Sequence, residues 1–444
     1  MSIIYQNTLT YKISNFLVRS ALYLYYDEII IVGAQNIPRD SGFIFAPNHR
    51  NALMDALAIL LITPHNKTTS FLGRSDIFKN KKVAAFLRFA KIMPAFRIRD
   101  GFENLNRNNA VFDECVDLLQ NNHALCIMPE GNQETDHKIR PLVKGIFRIA
   151  FSVQQNNKSD QSLQIVPVGL DFGSIEKFGK HLIINIGEPI HVSDYGLSYQ
   201  DNPPKAMNEL KQHLSDSLKD LAIHIDSTLH YQTILEIIEY SEYKLLKNKG
   251  LTSTSYNLFI ARKQLSDELS ALAKLDSEKM LRLSEYCLEY KSKLSKYHLQ
   301  ARNIDQKPNF KVQILRLIGL ITLLPIAVIG LILNVLAFFT PVLIRKMLKV
   351  EYHGFFSSIQ FVLGLIIFPL FYIAQSILIC KLLSVSILLV PFLLVTHLLT
   401  GILAFKYYCF TKKSIAEIRY LLLSKKRRKK LSEMQSKIHK LVFN

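Results

Sequence analysis

The sequence predicts an α/β domain, a mixed, mostly parallel sheet flanked by helices, followed by a helical arm and C-terminal transmembrane helices. Three observations predict it. Short apolar runs bounded by turn residues alternate with helical stretches up to about residue 195. Beyond Pro204 these runs stop, and long charged helical patterns take over. From Ile314 to Phe405 the chain is almost continuous hydrocarbon.

Each element follows from its own pattern. Residues 8–26 place apolar and aromatic side chains at helical spacing, with Lys12 and Arg19 between them. That predicts an amphipathic helix resting on a bilayer or on its own domain. DEIIIVG (27–33) and GFIFAPN (42–48) read as strands, as do ALCIMPE (124–130), LQIVPVGLDF (163–172) and HLIINIG (181–187). Helices are expected near 53–63, 80–91 and 107–121. The expected division is an α/β domain over 1–200 and a helical subdomain over 201–310. A membrane domain over 311–410 and a basic cytoplasmic tail over 411–444 complete it.

Three apolar runs, 314–344, 355–379 and 382–405, can enter a bilayer. Three simple crossings would leave Arg345, Lys346 and Lys349 on the far side from the α/β domain, against the positive-inside rule. A hairpin over 314–344, broken at Pro325 and Gly330, followed by two spans resolves the conflict. Every basic flank, including SKKRRKK (424–430), then faces the cytoplasm.

The net charge of +19 suits an anionic membrane face or a phosphorylated substrate. Nucleic acid is disfavoured, because no zinc-finger spacing, aromatic RNA-binding motif or recognition-helix signature is present. The five cysteines are scattered and never form CxxC, which argues against a disulfide framework or a structural zinc and fits a reducing compartment. The N-terminal MSIIYQNTLTYK does not read as a cleaved signal peptide.

The chemistry concentrates in APNHRNALMDALAIL (46–60). His49 falls at a strand-to-helix turn with Asp55 about a turn and a half beyond it. A carboxylate there can hold the imidazole in one tautomer and stabilise its positive charge, the orienting half of a Ser-His-Asp arrangement without the serine. A histidine so held can take a proton from a bound hydroxyl, which then attacks a carbonyl directly. Alone the pair is equally compatible with a capping or core role.

Three further segments accompany it. AKIMPAFRIRDG (90–101) places Arg97 after Pro94; LCIMPEGNQETDHKIRPLVKGIFRIA (125–150) carries Pro129-Glu130-Gly131 at a strand end, with Lys144 and Gly145 later; IVPVGLDF (165–172) has Pro167 within an apolar run. Each lies where a strand meets a loop, where open α/β sheets place their sites. Taken singly, Arg97 could be a solvated strand edge and Pro129-Glu130-Gly131 a plain turn. His123 and His137 read as surface histidines.

In this order the four segments resemble the glycerolphosphate and lysophospholipid acyltransferase family, over residues 40–175. The resemblance implies His49 as general base and Asp55 as its partner. It implies that Arg97 grips the acceptor's phosphate, that Glu130 and Gly131 shape the glycerol-phosphate pocket, and that Lys144 is a second phosphate contact. It further implies a membrane-bound enzyme that takes an acyl group from acyl-CoA or acyl-carrier protein as co-substrate. The acceptor would be glycerol 3-phosphate or lysophosphatidic acid, with no metal or other cofactor.

Two departures stand out. Five residues separate His49 from Asp55 instead of the commoner four, a spacing shared with the fungal glycerol-3-phosphate acyltransferases. The third block reads Pro-Glu-Gly-Asn-Gln, so the arginine frequent there is absent and its duty would pass to Lys138, Arg140 or Lys144. Two rival readings remain: an acyl ester hydrolase in which His49 activates water, and a non-catalytic membrane tether.

Overall fold

The computed structural model describes residue 4 and residues 6–96, 107–155 and 162–443, and divides into two units. The first comprises residues 1–224 together with 351–358, and the second residues 225–350 and 359–444.

The first unit is built on eight strands: β1 (Glu28–Val32), β2 (Phe43–Pro47), β3 (Thr69–Arg74), β4 (Ile92–Ala95), β5 (Ala124–Cys126), β6 (Gln164–Phe172), β7 (His181–Ile186) and β8 (Ile190–His191). They run in the order β1-β7-β6-β2-β5-β3-β4, with β8 also on β6. The pairs β1/β7, β2/β5, β2/β6, β3/β4 and β3/β5 are parallel, whereas β6 pairs antiparallel with β7 and β8. The sheet is therefore mixed and mostly parallel.

β2 lies in the middle of the sheet and every residue of it is buried. Its side chains alternate between faces. Ile44 and Ala46 join a core with Leu118, Phe147 and Leu214, which come from α4 (Arg107–Gln120), α5 (Gly145–Gln155) and α7 (Pro203–Leu221). Phe43 and Phe45 point to the opposite face. The helices α1 (Leu9–Tyr25) and α2 (Leu53–Ile62) pack on each other, joined by Arg19, which donates to the carbonyl of Leu61. Helices α3 (Lys81–Phe89) and α6 (Gly196–Asp201) complete the unit.

Pro167 fits inside β6 because of where its missing N–H falls. The antiparallel partners of β6 leave a gap there: β8 pairs with residues 164–165 and β7 with 168–172. The Pro167 carbonyl still accepts from Gly187.

The second unit holds α8 (Tyr231–Asn248), α9 (Ser255–Leu275), α10 (Ser277–Lys296), α11 (Ala301–Gln306), α12 (Phe310–Met347), most of α13 (Phe356–Leu382), α14 (Val390–Leu422) and α15 (Lys425–Phe443). Among the described residues three helical stretches, Phe310–Met347, His353–Leu382 and Ile387–Leu422, are long and apolar enough to cross a membrane.

The structure corrects four expectations. Three strands, β3, β4 and β8, lie outside the five runs read as strands. The α/β unit extends past residue 200, because α7 packs on β6 with the Leu221 carbonyl only 2.2 Å from where a Cβ on Gly169 would lie. Residues 425–443 are not a free tail: Leu431 and Ile438 are buried in one core with Tyr290 of α10 and Ile237 of α8. The hairpin over 314–344 is also absent, since α12 continues through both Pro325 and Pro341. Gly330 works there as a contact point and not as a breaker. A Cβ on it would meet the Thr400 carbonyl of α14 at 2.4 Å.

Candidate active site

The candidate site lies beyond the C-terminal ends of β2 and β5, at the middle of the sheet. β2 ends at Pro47, and the chain turns through Asn48, His49, Arg50, Asn51 and Ala52 into α2. Asn48 sets where the turn begins. Its side-chain amide donates to the Leu170 carbonyl at 3.3 Å and its oxygen accepts from the Leu170 N–H at 2.6 Å. A buried side chain thus extends the β2–β6 ladder by one more pair.

The turn closes on Asp55. Its Oδ2 accepts from three donors: the His49 imidazole Nδ1 at 2.9 Å, the Arg50 N–H at 2.8 Å and the Asn51 N–H at 2.7 Å. The Asp55 side chain is wholly buried, while that of His49 retains 18% exposure. Because a carboxylate only accepts, Nδ1 carries the proton and Nε2 is the basic nitrogen. The extra residue of the His-x5-Asp spacing is absorbed in the turn, where Ala52 takes a φ of +46°.

Glu130 arrives from β5. It is buried, and it links two chain segments: Oε1 accepts from the His49 N–H at 2.9 Å and Oε2 from the Arg140 N–H at 3.0 Å. Burial pushes its carboxyl above the usual glutamate range, opposed by those two N–H groups and by the Arg140 charge. Arg140 binds Glu134 at 3.1 Å and also pairs with Asp136, which ties the loop after Gly131 back onto Glu130. Arg50 closes the same loop by donating to the Thr135 carbonyl at 2.8 Å.

Gly131 makes the turn possible. Its φ is +64°, and a Cβ there would meet Val143 at 2.8 Å.

The structure therefore brings together His49, Asp55, Glu130 and Gly131. Lys144 is exposed at the residue before α5, and among the described residues no hydrogen bond joins it to that group. Arg97 lies outside the described residues. Of the three proposed substitutes for the missing arginine, Arg140 is the one bonded to Glu130. Asn48 and Arg50 went unrecognised: both sit beside His49 in sequence, but their partners are 122 and 85 residues away.

A model of the family described as Acyltransferase matches residues 28–171, the stretch that holds this geometry. Glycerol-3-phosphate O-acyltransferase 2 of Saccharomyces cerevisiae is 22% identical over 297 residues, 61% of this chain and 38% of the yeast protein. The chain thus spans little more than a third of the length of that relative. The 1-acyl-sn-glycerol-3-phosphate acyltransferase of Bacillus subtilis is 25% identical over 201 residues, 44% of this chain and 89% of that one. Among solved structures, the 1-acyl-sn-glycerophosphate acyltransferase PlsC from Thermotoga maritima aligns at 22% identity and a TM-score of 0.33. It covers 47% of this chain and 78% of its own.

Proposed function

We propose that this chain, a member of the glycerolphosphate acyltransferase family, moves a fatty acyl group from a thioester donor to a glycerol-phosphate hydroxyl in phospholipid synthesis. The observation that carries the proposal is the 2.9 Å contact of His49 Nδ1 with a buried Asp55, which leaves Nε2 as the basic nitrogen on a partly exposed ring.

In this reaction Nε2 takes the proton of the acceptor hydroxyl as its oxygen attacks the thioester carbonyl. The C–O bond forms, and charge passes to the carbonyl oxygen. Collapse of that intermediate breaks the C–S bond, and the imidazolium returns its proton to the leaving thiolate. Asp55 holds the ring in the required tautomer and stabilises its transient positive charge. Glu130 fixes the backbone of His49, so the ring's origin is set by β5 as well as β2.

Arg97 is the proposed phosphate grip, with Lys144 as a second contact, both on the strength of the family resemblance. The donor is acyl-CoA or acyl-carrier protein. The acceptor favoured here is glycerol 3-phosphate, ahead of lysophosphatidic acid, because the His-x5-Asp spacing is that of the fungal-type enzymes. The apolar helices suit a reaction whose acyl chain and product partition into lipid.

The test is an acceptor panel on detergent-purified protein with acyl-CoA, and with acyl-carrier protein if that fails. Acylated glycerol phosphate formed in preference to diacylated product supports the reading. Release of free fatty acid at the same rate with and without acceptor marks a hydrolase and contradicts it.

A further inference from the structure

Residues 351–358 connect two long apolar helices, yet they belong to the same unit as the candidate site. They fasten onto three of its loops. Tyr352 Oη donates to the Gln133 carbonyl at 3.2 Å, in the loop after Gly131. His353 Nδ1 donates to Glu176 at 2.6 Å, and the Ser357 hydroxyl donates to the Ile175 carbonyl, both in the loop after β6. Ser358 reaches the turn that carries His49. Its Oγ accepts from the Leu53 N–H at 3.2 Å and donates to the Asn51 carbonyl at 3.4 Å.

The last contact fills a specific deficit. α2 begins at Leu53, and its N-cap is Ala52, which has no side-chain acceptor to offer. Helices whose first N–H groups lack an acceptor are weakly anchored at that end, and Ser, Thr, Asp or Asn at the cap is the usual remedy. Here the acceptor comes from 305 residues further along the chain. Asp55 sits in the first turn of the helix so capped, and Asn51 shares itself between the two groups. Its N–H goes to Asp55 and its carbonyl to Ser358. Ser358 is buried, so its hydroxyl holds this geometry away from competing water.

We propose that Ser358 is a positioning residue for acyl transfer: a cap in trans that holds the start of α2, and through it Asp55, in register with His49. The inference rests on the acyl-transfer reading for its kinetic consequence and on geometry alone for its structural one.

The experiment compares full-length Ser358→Ala and Ser358→Thr with wild type in detergent, with 15N-labelled histidine. Ser358→Ala should lower kcat about tenfold, short of the roughly hundredfold that an ångström of misplacement can cost, while KM for the acceptor stays within about twofold. Ser358→Thr, which keeps the hydroxyl, should restore most of the rate. The downfield Nδ1 proton signal of His49, the mark of an imidazole bound to a carboxylate, should be sharp in wild type and Ser358→Thr and weakened in Ser358→Ala. Should Ser358→Ala fail to fold, Ser358→Cys carries the same comparison, since a thiol is a weak acceptor of similar size.

Wild-type kcat and an intact His49 signal without the hydroxyl overturn the proposal, as does equal loss in the alanine and threonine variants. If the wild type transfers no acyl group, the functional reading falls, while the Nδ1 signal still decides the role of Ser358.

Discussion

One oxygen of Asp55 receives the His49 imidazole at 2.9 Å and the Asn51 N–H at 2.7 Å, so the group that orients the ring also closes the turn presenting it. Asp55→Asn can keep an acceptor oxygen at this point but removes the carboxylate charge that stabilises the imidazolium. Its NH2 would take the place of Oδ1, which is buried without a partner. We expect kcat to fall by roughly 10²–10⁴-fold, with a much smaller change in KM. A fall of less than threefold in steady-state assays would mean that the pair is structural.

Gly131→Ala places a methyl group 2.8 Å from Val143 at a φ of +64°. The expected cost is about 1–3 kcal/mol from backbone strain and overpacking together. Pairing it with Val143→Ala should recover the packing part and not the strain. Thermal unfolding of the two variants reads the difference, and full recovery would show that the left-handed backbone is not the constraint.

Asp305, half-buried in the helical unit, makes a pH prediction away from the site. Burial pushes its carboxyl up to about 6 from an ordinary 3.8, although Gln435 donates to it at 3.0 Å. A carboxyl whose folded value is raised contributes stability that is fully present below about 4 and is lost as pH rises through about 6. Asp305→Asn should therefore raise the melting temperature by a few degrees at pH 7 and leave it unchanged near pH 4. A variant less stable than wild type at pH 7 would contradict that sign.

Gly330→Val tests the contact between α12 and α14. The added side chain would enter the space of the Thr400 carbonyl, whose oxygen lies 2.4 Å from an ideal Cβ on Gly330. Separation of the two helices at this point should lower the unfolding midpoint in detergent by the equivalent of roughly 1–3 kcal/mol. An unchanged midpoint would mean that the close approach is dispensable.

The mixed sheet and the reactive block were legible because strand periodicity and the residues at strand ends are local properties. His49, Asp55, Glu130 and Gly131 stand within a few residues of a recognisable strand end. The short β3 and β4 were not legible: TSFLGR contains Ser, Gly and Arg, and IMPA contains Pro, so neither shows a clean apolar alternation. Gly330 read as a breaker because sequence shows its missing side chain but not the helix that comes to occupy the space. The basic segment 425–443 read as a tail because its lysines outweigh Leu431 and Ile438, its two buried apolar residues. Asn48, Arg50 and Ser358 act through partners 85 to 307 residues away, so no local signal could expose them.

The central claim is that His49 is the base for acyl transfer, and single-turnover transfer from acyl-CoA to glycerol 3-phosphate by wild type and His49→Ala tests it most directly. The account predicts product in the wild type and a rate lower by at least about 10²-fold in the variant, with both chains folded. Equal rates in the two would contradict it.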